Sequence, residues 1–202
     1  MLMHARVMTF SGAKNIDDGL VFLREKAMPI VSAQQGYRGL TASADRNGGV
    51  FGILSLWETE ADRQASRTAL DGARQEALGI LGGELTIEDF ERVVVEMGDT
   101  PPGPGSALMV QRASMDPAKV EDNLSFFKSE VVPRIKANPG FIGLRNLVNR
   151  EAGESVVGTV WADTSSLRSA LAQGQQNRQP AIDRGVTFGD VSEREVLFTD
   201  LP

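Results

Sequence analysis

The 202-residue sequence contains no cysteine, which excludes disulfides, thiolate metal sites and a cysteine nucleophile. Histidine occurs once, as His4, and tyrosine once, as Tyr37. One imidazole cannot complete a metal site without carboxylate help, and no His/Asp/Glu cluster at ligand spacing accompanies it, so no metal is expected. A Ser-His-Asp set cannot be assembled around a single histidine so close to the N-terminus. Neither the GxGxxG nor the GxxxxGK[ST] phosphate loop occurs. No stretch approaches about 18 consecutive apolar residues, so no membrane span is expected. Met1 to Arg6 lacks the apolar run of a signal peptide. Lys and Arg number 21 against 27 Asp and Glu, a net charge of −6, and that sign disfavours the phosphates of nucleic acid. The expectation is a cytoplasmic protein that binds neither nucleic acid nor membrane.

What the sequence does contain, it contains twice. Gly36-Tyr37-Arg38-Gly39-Leu40 runs on to Trp57-Glu58-Thr59-Glu60, and Gly140-Phe141-Ile142-Gly143-Leu144 runs on to Trp161-Ala162-Asp163-Thr164. One offset relates both ends, 140 − 36 = 161 − 57 = 104. The same offset places Leu20 on Leu124, Phe22 on Phe126, Pro29 on Pro133, Arg46 on Arg150 and Gly49 on Gly153. Glycine, proline and tryptophan held in register over that length read as a tandem duplication. The division is residues 1–97, a Pro/Gly linker at 98–105, and residues 106–202.

Within the first repeat, Ala5 to Phe10 alternates as a strand. Ile16, Leu20, Leu23, Ala27, Ile30 and Val31 share one helical face. Pro29 falls late in that helix and predicts a kink or restart near Ala27. Gly36–Ala44 and Val50–Trp57 form a hairpin through Asp45-Arg46-Asn47-Gly48-Gly49, whose Asn-Gly and Gly-Gly pairs tolerate positive φ. Thr59 with Asp62 three residues on resembles a capping box, and starts a helix that runs to about Leu81. A last strand covers Phe90 to Glu96. The second repeat follows the same course: a strand over Ala107–Ala113, a helix over Pro117–Ala137, a hairpin of Gly140–Val148 with Ser155–Trp161, a helix from Thr164 to Ala181, and a strand over Val191–Thr199. Gln173 to Gln179 is polar and poorly amphipathic, which predicts a frayed helix there. Each half reads β-α-β-β-α-β, a ferredoxin-like α+β arrangement with both helices on one face of an antiparallel sheet. The strands are apolar on both faces, as in Val156-Val157-Gly158-Thr159-Val160, so the second face must also be covered. Two sheets packed face to face would do so, with a monomer as the expected state.

The late-helix Pro, the Gly-aromatic-x-Gly-Leu opening of the second strand, the hairpin and the Trp before a capped helix resemble the antibiotic biosynthesis monooxygenase superfamily. Both halves carry all of these features, so the resemblance spans almost the whole chain outside the linker. It implies a dimeric α/β barrel, here formed within one chain by two fused repeats. It also implies oxidation of a small aromatic, quinol or polyketide-like molecule without a cofactor. The alternative is a non-catalytic small-molecule-binding or stress-response protein of the same fold. The haem-degrading branch uses an Asn on the first strand, a Trp ending the third and a His on the second helix. Trp57 and Trp161 match the Trp, but no Asn stands on Arg6-Val7-Met8-Thr9 or Met109-Val110-Gln111-Arg112 and no His on either second helix, so haem degradation by that route is not expected.

Candidate residues follow from chemistry. Trp57 and Trp161 either fill the gap under the second helix, as large aromatics do in cores, or wall a cavity that takes an aromatic ligand. His4 is the one side chain with an unperturbed pKa near neutrality and the cheapest general base. Asn146, Gln111 and Asn149 are neutral hydrogen-bonding groups on or near strands, which either orient a ligand or satisfy edge backbone. Arg6 and Arg112 either reach solvent or an ion pair, or point under the helices toward a carboxylate or phenolate. Tyr37 has Phe141 as its counterpart, so its hydroxyl is dispensable to the repeat. Small residues at Ala61, Ala65, Ala69, Gly72, Ala73, Ala170, Ala172 and Gly174 mark thin helix faces, which mean close approach or a pocket.

Overall fold

The computed structural model describes residues 3–201. Its elements are β1 (Met3–Ser11), α1 (Ile16–Phe22), α2 (Met28–Ser32), β2 (Tyr37–Asp45), β3 (Val50–Trp57), α3 (Glu60–Ala69), α4 (Asp71–Leu81) and β4 (Glu84–Met97). They continue with β5 (Ala107–Ser114), α5 (Val120–Phe126), α6 (Val132–Lys136), β6 (Phe141–Asn149), β7 (Glu154–Trp161), α7 (Thr164–Gln176), α8 (Gln179–Ile182) and β8 (Thr187–Thr199). The hydrogen-bonded strand order is β1-β3-β2-β8-β5-β7-β6-β4, a closed barrel. The chain divides into unit 1, Met1–Glu91 with Glu195–Pro202, and unit 2, Arg92–Arg194.

In unit 1, β3 pairs antiparallel with β1 (Ala5 opposite Leu56, Phe10 opposite Phe51) and with β2 (Ala42 opposite Ile53). In unit 2, β7 pairs in the same way with β5 (Gln111 opposite Val157) and with β6 (Asn146 opposite Val157). The hairpin between β2 and β3 is held by Asp45 Oδ1, which accepts the N–H of Asn47 (3.0 Å) and of Gly48 (2.8 Å). Its last residue, Gly49, has φ +64°, and its carbonyl accepts the N–H of Ala13. Gly153 repeats that role toward Met115 at φ +67°. A Cβ there would lie 2.0 Å from the Met115 carbonyl oxygen, so both space and conformation require glycine.

The first helix of each unit changes pitch where proline dictates. Leu23–Ala27 is a π turn before α2, with Pro29 in the first turn of α2, and Phe127–Val131 is a π turn before α6 and Pro133. A proline has no N–H and crowds the carbonyl four residues back, and widening the helix by one residue relieves both. Thr59 caps α3 by accepting the Asp62 N–H, while the Asp62 carboxylate accepts a hydrogen bond from the Thr59 hydroxyl rather than reaching the backbone. That is the consequence of a side chain one carbon shorter than Glu.

Three extents differ from the sequence pattern. The single helix expected up to Leu81 is broken at Leu70 (φ −102°, ψ 3°). The buried Arg74 guanidinium donates to carbonyls at the break, Arg67 O (2.8 Å) and Ser66 O (3.4 Å), the second of which also accepts the Leu70 N–H. The helix after β7 is interrupted between Gln176 and Gln179, inside the polar stretch expected to fray. Strands β4 and β8 start earlier than their apolar runs, at Glu84 and Thr187, because backbone pairing extends across polar residues. Among the described residues, no helix is long and apolar enough to cross a membrane.

Candidate functional site

Both tryptophans close a strand and are almost wholly buried, Trp57 and Trp161 each at 1% exposure. Residues two apart on a strand share a face, and each unit uses that spacing. The Trp57 indole N–H donates to Ser55 Oγ at 3.1 Å, and that of Trp161 to Thr159 Oγ1 at 2.9 Å. Tyr37 meets Trp57 edge-on with ring centroids 5.7 Å apart, and Phe141 meets Trp161 at 5.8 Å. The indole N–H groups are therefore satisfied by their own strands, and each ring face remains as a wall.

In unit 1 that wall borders a cavity of about 60 Å³. Phe10, Phe51 and Leu81 fill most of the space between helices and sheet, with Arg6, Ser55 and Arg74 at its edge. Arg6 holds Asp89 with two parallel bonds, Nε to Oδ1 at 2.8 Å and Nη2 to Oδ2 at 3.0 Å. Arg63 Nε lies 3.7 Å from the same carboxylate. Arg74 has its pKa lowered, first by burial and then by the charge of Arg6. Arg6 and Arg74, the cations that line this cavity, thus bond to groups of the protein itself.

Unit 2 is open where unit 1 is filled. One chamber of about 170 Å³ lies between Met109, Gln111, Thr159 and Trp161 on the sheet and Ala170, Gly174 and Arg178 above it. A second, of about 110 Å³, is bordered by Asn123, Phe126, Asn146 and Ser155. Both are lined by Gln111, Phe127, Val131, Val157, Ala181 and Phe188. A dry cavity of about 150 Å³ accepts benzene, so the first chamber has room for an aromatic ring and the cavity of unit 1 does not. The thin face anticipated at Ala170 and Gly174 is therefore a chamber roof.

Gln111 is the hinge of the two chambers. Its Nε2 donates to the carbonyls of Arg112 (2.7 Å) and Gly189 (2.9 Å), and its Oε1 accepts from Arg178 Nη2. The Arg178 guanidinium also stacks over Phe188, 4.5 Å from the ring centroid. No Asp, Glu, His, Lys or Tyr lines either chamber. In the second chamber the Ser155 hydroxyl donates to Asn146 Oδ1 at 2.8 Å. Asn123 is 6% exposed, and its Oδ1 has no hydrogen-bond partner. The positions that match these in unit 1 are apolar. Asn146 faces Val157 as Ala42 faces Ile53, and Gln111 faces Val157 as Met8 faces Ile53. At the offset of 104, Asn123 corresponds to Gly19 and Ser155 to Phe51.

The residues nominated from sequence fall in different places. Trp161 and Asn146 line neighbouring chambers of unit 2. Trp57 and Arg6 line the small cavity of unit 1. His4 is half-buried on β1 opposite Trp57 and does not line that cavity. Tyr37 donates its hydroxyl to the Asp200 carboxylate, at 3.0 Å to Oδ2. Burial, and then the Asp200 charge, push its pKa up. Arg112 lines none of these cavities and has partners of its own. Asn123, Ser155, Thr159 and Arg178 were not singled out from sequence. The signal for Asn123 and Ser155 was present: at one repeat offset each is polar in one half and Gly or Phe in the other. Among the described residues, no group of three or more His, Asp or Glu is placed to hold a metal ion.

No protein-family model matches the chain. An uncharacterised protein of Mycobacterium tuberculosis strain H37Rv is 26% identical over 156 residues, covering 77% of this chain and 69% of that relative. A candidate monooxygenase of Fusobacterium nucleatum superposes with a TM-score of 0.72 at 12% identity, over 98% of this chain and 94% of that one. An anthrone oxidase-like protein superposes with a TM-score of 0.69 at 15% identity, over 97% and 92%. The chain therefore has a monooxygenase-like fold, that of the ferredoxin-fold proteins related to antibiotic biosynthesis monooxygenases. At such identities the likeness fixes the fold, and the substrate has to be argued from the chambers.

Proposed function

We propose that unit 2 binds a small hydroxylated aromatic molecule between its helices and sheet, against Trp161, and oxidises it as a cofactor-independent monooxygenase. The observation that carries this reading is a ring-sized, mostly apolar chamber lined by two arginines, Arg134, which pairs with Glu130, and the half-buried Arg178. Arg178 keeps free donors beyond the one it gives Gln111, and a guanidinium beside a phenol favours the phenolate. The substrate then needs no enzymic base if its own acidity is close to neutral. The ionised ring gives one electron to O2. The two radicals join through a new C–O bond as a hydroperoxide, and loss of water leaves a carbonyl. One oxygen atom stays in the product, the other leaves as water, and the substrate loses four electrons in all. The apolar walls contribute by excluding water from the radical pair.

The test is oxygen uptake with anthrone, 1-naphthol and hydroquinone, beside quenching of tryptophan emission. Arg178→Met is expected to lower turnover about 100-fold, the scale of losing one charge-stabilising donor, with the fold unchanged by circular dichroism. Quenching without oxygen uptake by any of the three sinks the catalytic part. The absence of a titratable base in the chambers favours a second reading, a non-catalytic binding protein for the same ligands, and that result would select it. We further read the tandem repeat as replacing the partner chain of a two-chain barrel in a cytoplasmic protein. The expected outcome is sedimentation as a monomer of 21.8 kDa, and a homodimer at micromolar concentration would refute it.

A further inference from the structure

The second chamber of unit 2 has a chemical polarity that the oxygenase reading does not use. Asn123 Oδ1 is an acceptor with no partner, on a side chain more than nine-tenths buried. On the same chamber, the Ser155 hydroxyl donates its hydrogen bond to Asn146 Oδ1, so toward any further partner it can act only as an acceptor. An amide oxygen turned away from water and left unpaired is destabilising. The chain nevertheless keeps it where the other repeat has glycine. In unit 1 a Cβ on Gly19 would sit 2.4 Å from Leu81 Cδ2, since Leu81 occupies that space, and Phe51 stands where unit 2 has Ser155. Unit 1 has thus closed this volume with hydrocarbon, while unit 2 has left it open and lined with acceptors.

We propose that this chamber is a recognition subsite for a hydrogen-bond donor, a neutral hydroxyl at the end of the aromatic ligand remote from Arg178, received by Asn123 Oδ1. The inference rests on the aromatic-binding reading of unit 2 and adds the orientation and the substrate class. An amide oxygen left unpaired beside a chamber of this size is stabilised by any occupant that brings it a donor. An entering ligand therefore either pairs it or leaves it unpaired. A ring bearing a hydroxyl pairs it, a bare hydrocarbon does not, and a phenolate brings an acceptor against acceptors. The two chambers then ask for a dihydroxylated or hydroxy-keto ring system. One oxygen ionises beside Arg178, and the other stays protonated at Asn123.

The experiment compares 2-naphthol with naphthalene by titration of tryptophan fluorescence on the full chain. The wild type is expected to prefer the naphthol on the order of tenfold, the scale of one buried acceptor left unpaired or paired. Asn123→Leu, close in volume, is expected to erase the preference while naphthalene binds at least as tightly. Its melting temperature should rise by a few degrees, because an unpaired buried amide is gone. Asn123→Asp keeps an oxygen at that atom and should keep the preference. The subsite is overturned if both probes bind the wild type equally, or if the Leu variant retains the preference. If neither probe binds, the aromatic reading of unit 2 fails and the subsite falls with it, a result distinct from equal binding.

Discussion

Asp89→Ala is expected to destabilise the protein by about 3 kcal/mol, measured by urea unfolding. The side chains of Arg6 and Asp89 are 3% and 29% exposed, and they meet through two bonds of 2.8 and 3.0 Å. Arg63, 7% exposed, faces the same carboxylate at 3.7 Å. One anion therefore serves two buried cations, with Arg74 adding a third positive charge nearby. Removing one partner of a buried pair costs about 3–5 kcal/mol, since it strands the other charge out of water. The lower end applies here because Asp89 keeps some solvent. The pair as a whole contributes far less than this loss. Asp89→Ala with Arg6→Met is accordingly expected to recover more than half of the stability, a coupling that a double-mutant cycle reads directly. A single-variant loss below about 0.5 kcal/mol would place the pair with ordinary surface ion pairs and refute the argument.

The sequence made the scaffold readable because its punctuation is local. Proline placed the π turns, Gly49 and Gly153 placed the hairpins, Thr59 capped α3, and one offset tied the halves together. What escaped was set by tertiary contacts. The break at Leu70 has no proline or glycine at the residue itself, and Arg74, reaching back from the next helix, donates to the carbonyls of Arg67 and Ser66 there. The early parts of β4 and β8 are polar and pair through backbone, which hydrophobic patterning cannot register. The same division applies to the site. Trp161 and Asn146 stand out by residue type. Asn123 hides in Glu121-Asp122-Asn123, a stretch that looks like the solvated first turn of a helix. Arg178 hides in the polar run expected to fray, yet it reaches Gln111, a residue 67 positions away. The candidate site lies where the repeats differ, and a repeat is recognised by where they agree. The divergent positions become informative only once pairing register shows which of them face a common space.

Trp161→Ala is expected to cost about 3–5 kcal/mol, the range for truncating a buried aromatic, and to lower the melting temperature by roughly 10 °C for a chain of this size. The indole is 1% exposed and packs with Ala107, Leu167, Met109 and Phe141. Its loss also leaves the Thr159 hydroxyl without the N–H it receives. Trp57→Ala should cost a similar amount, but the two should differ in rescue. The vacancy at Trp161 merges with a chamber of about 170 Å³, whereas that at Trp57 adds to about 60 Å³ enclosed by Phe10, Phe51 and Leu81. Free indole can restore stability only by binding the folded state, by an amount that grows with ligand concentration over its dissociation constant. Millimolar indole should therefore raise the melting temperature of the Trp161 variant by several degrees and that of the Trp57 variant by less. Equal rescue of both would mean that the chambers do not differ in access, and a loss below about 1 kcal/mol would mean that Trp161 is not a packed wall. The control matters for function as well. Activity lost in Trp161→Ala reports on the site only to the extent that indole restores the fold without restoring turnover.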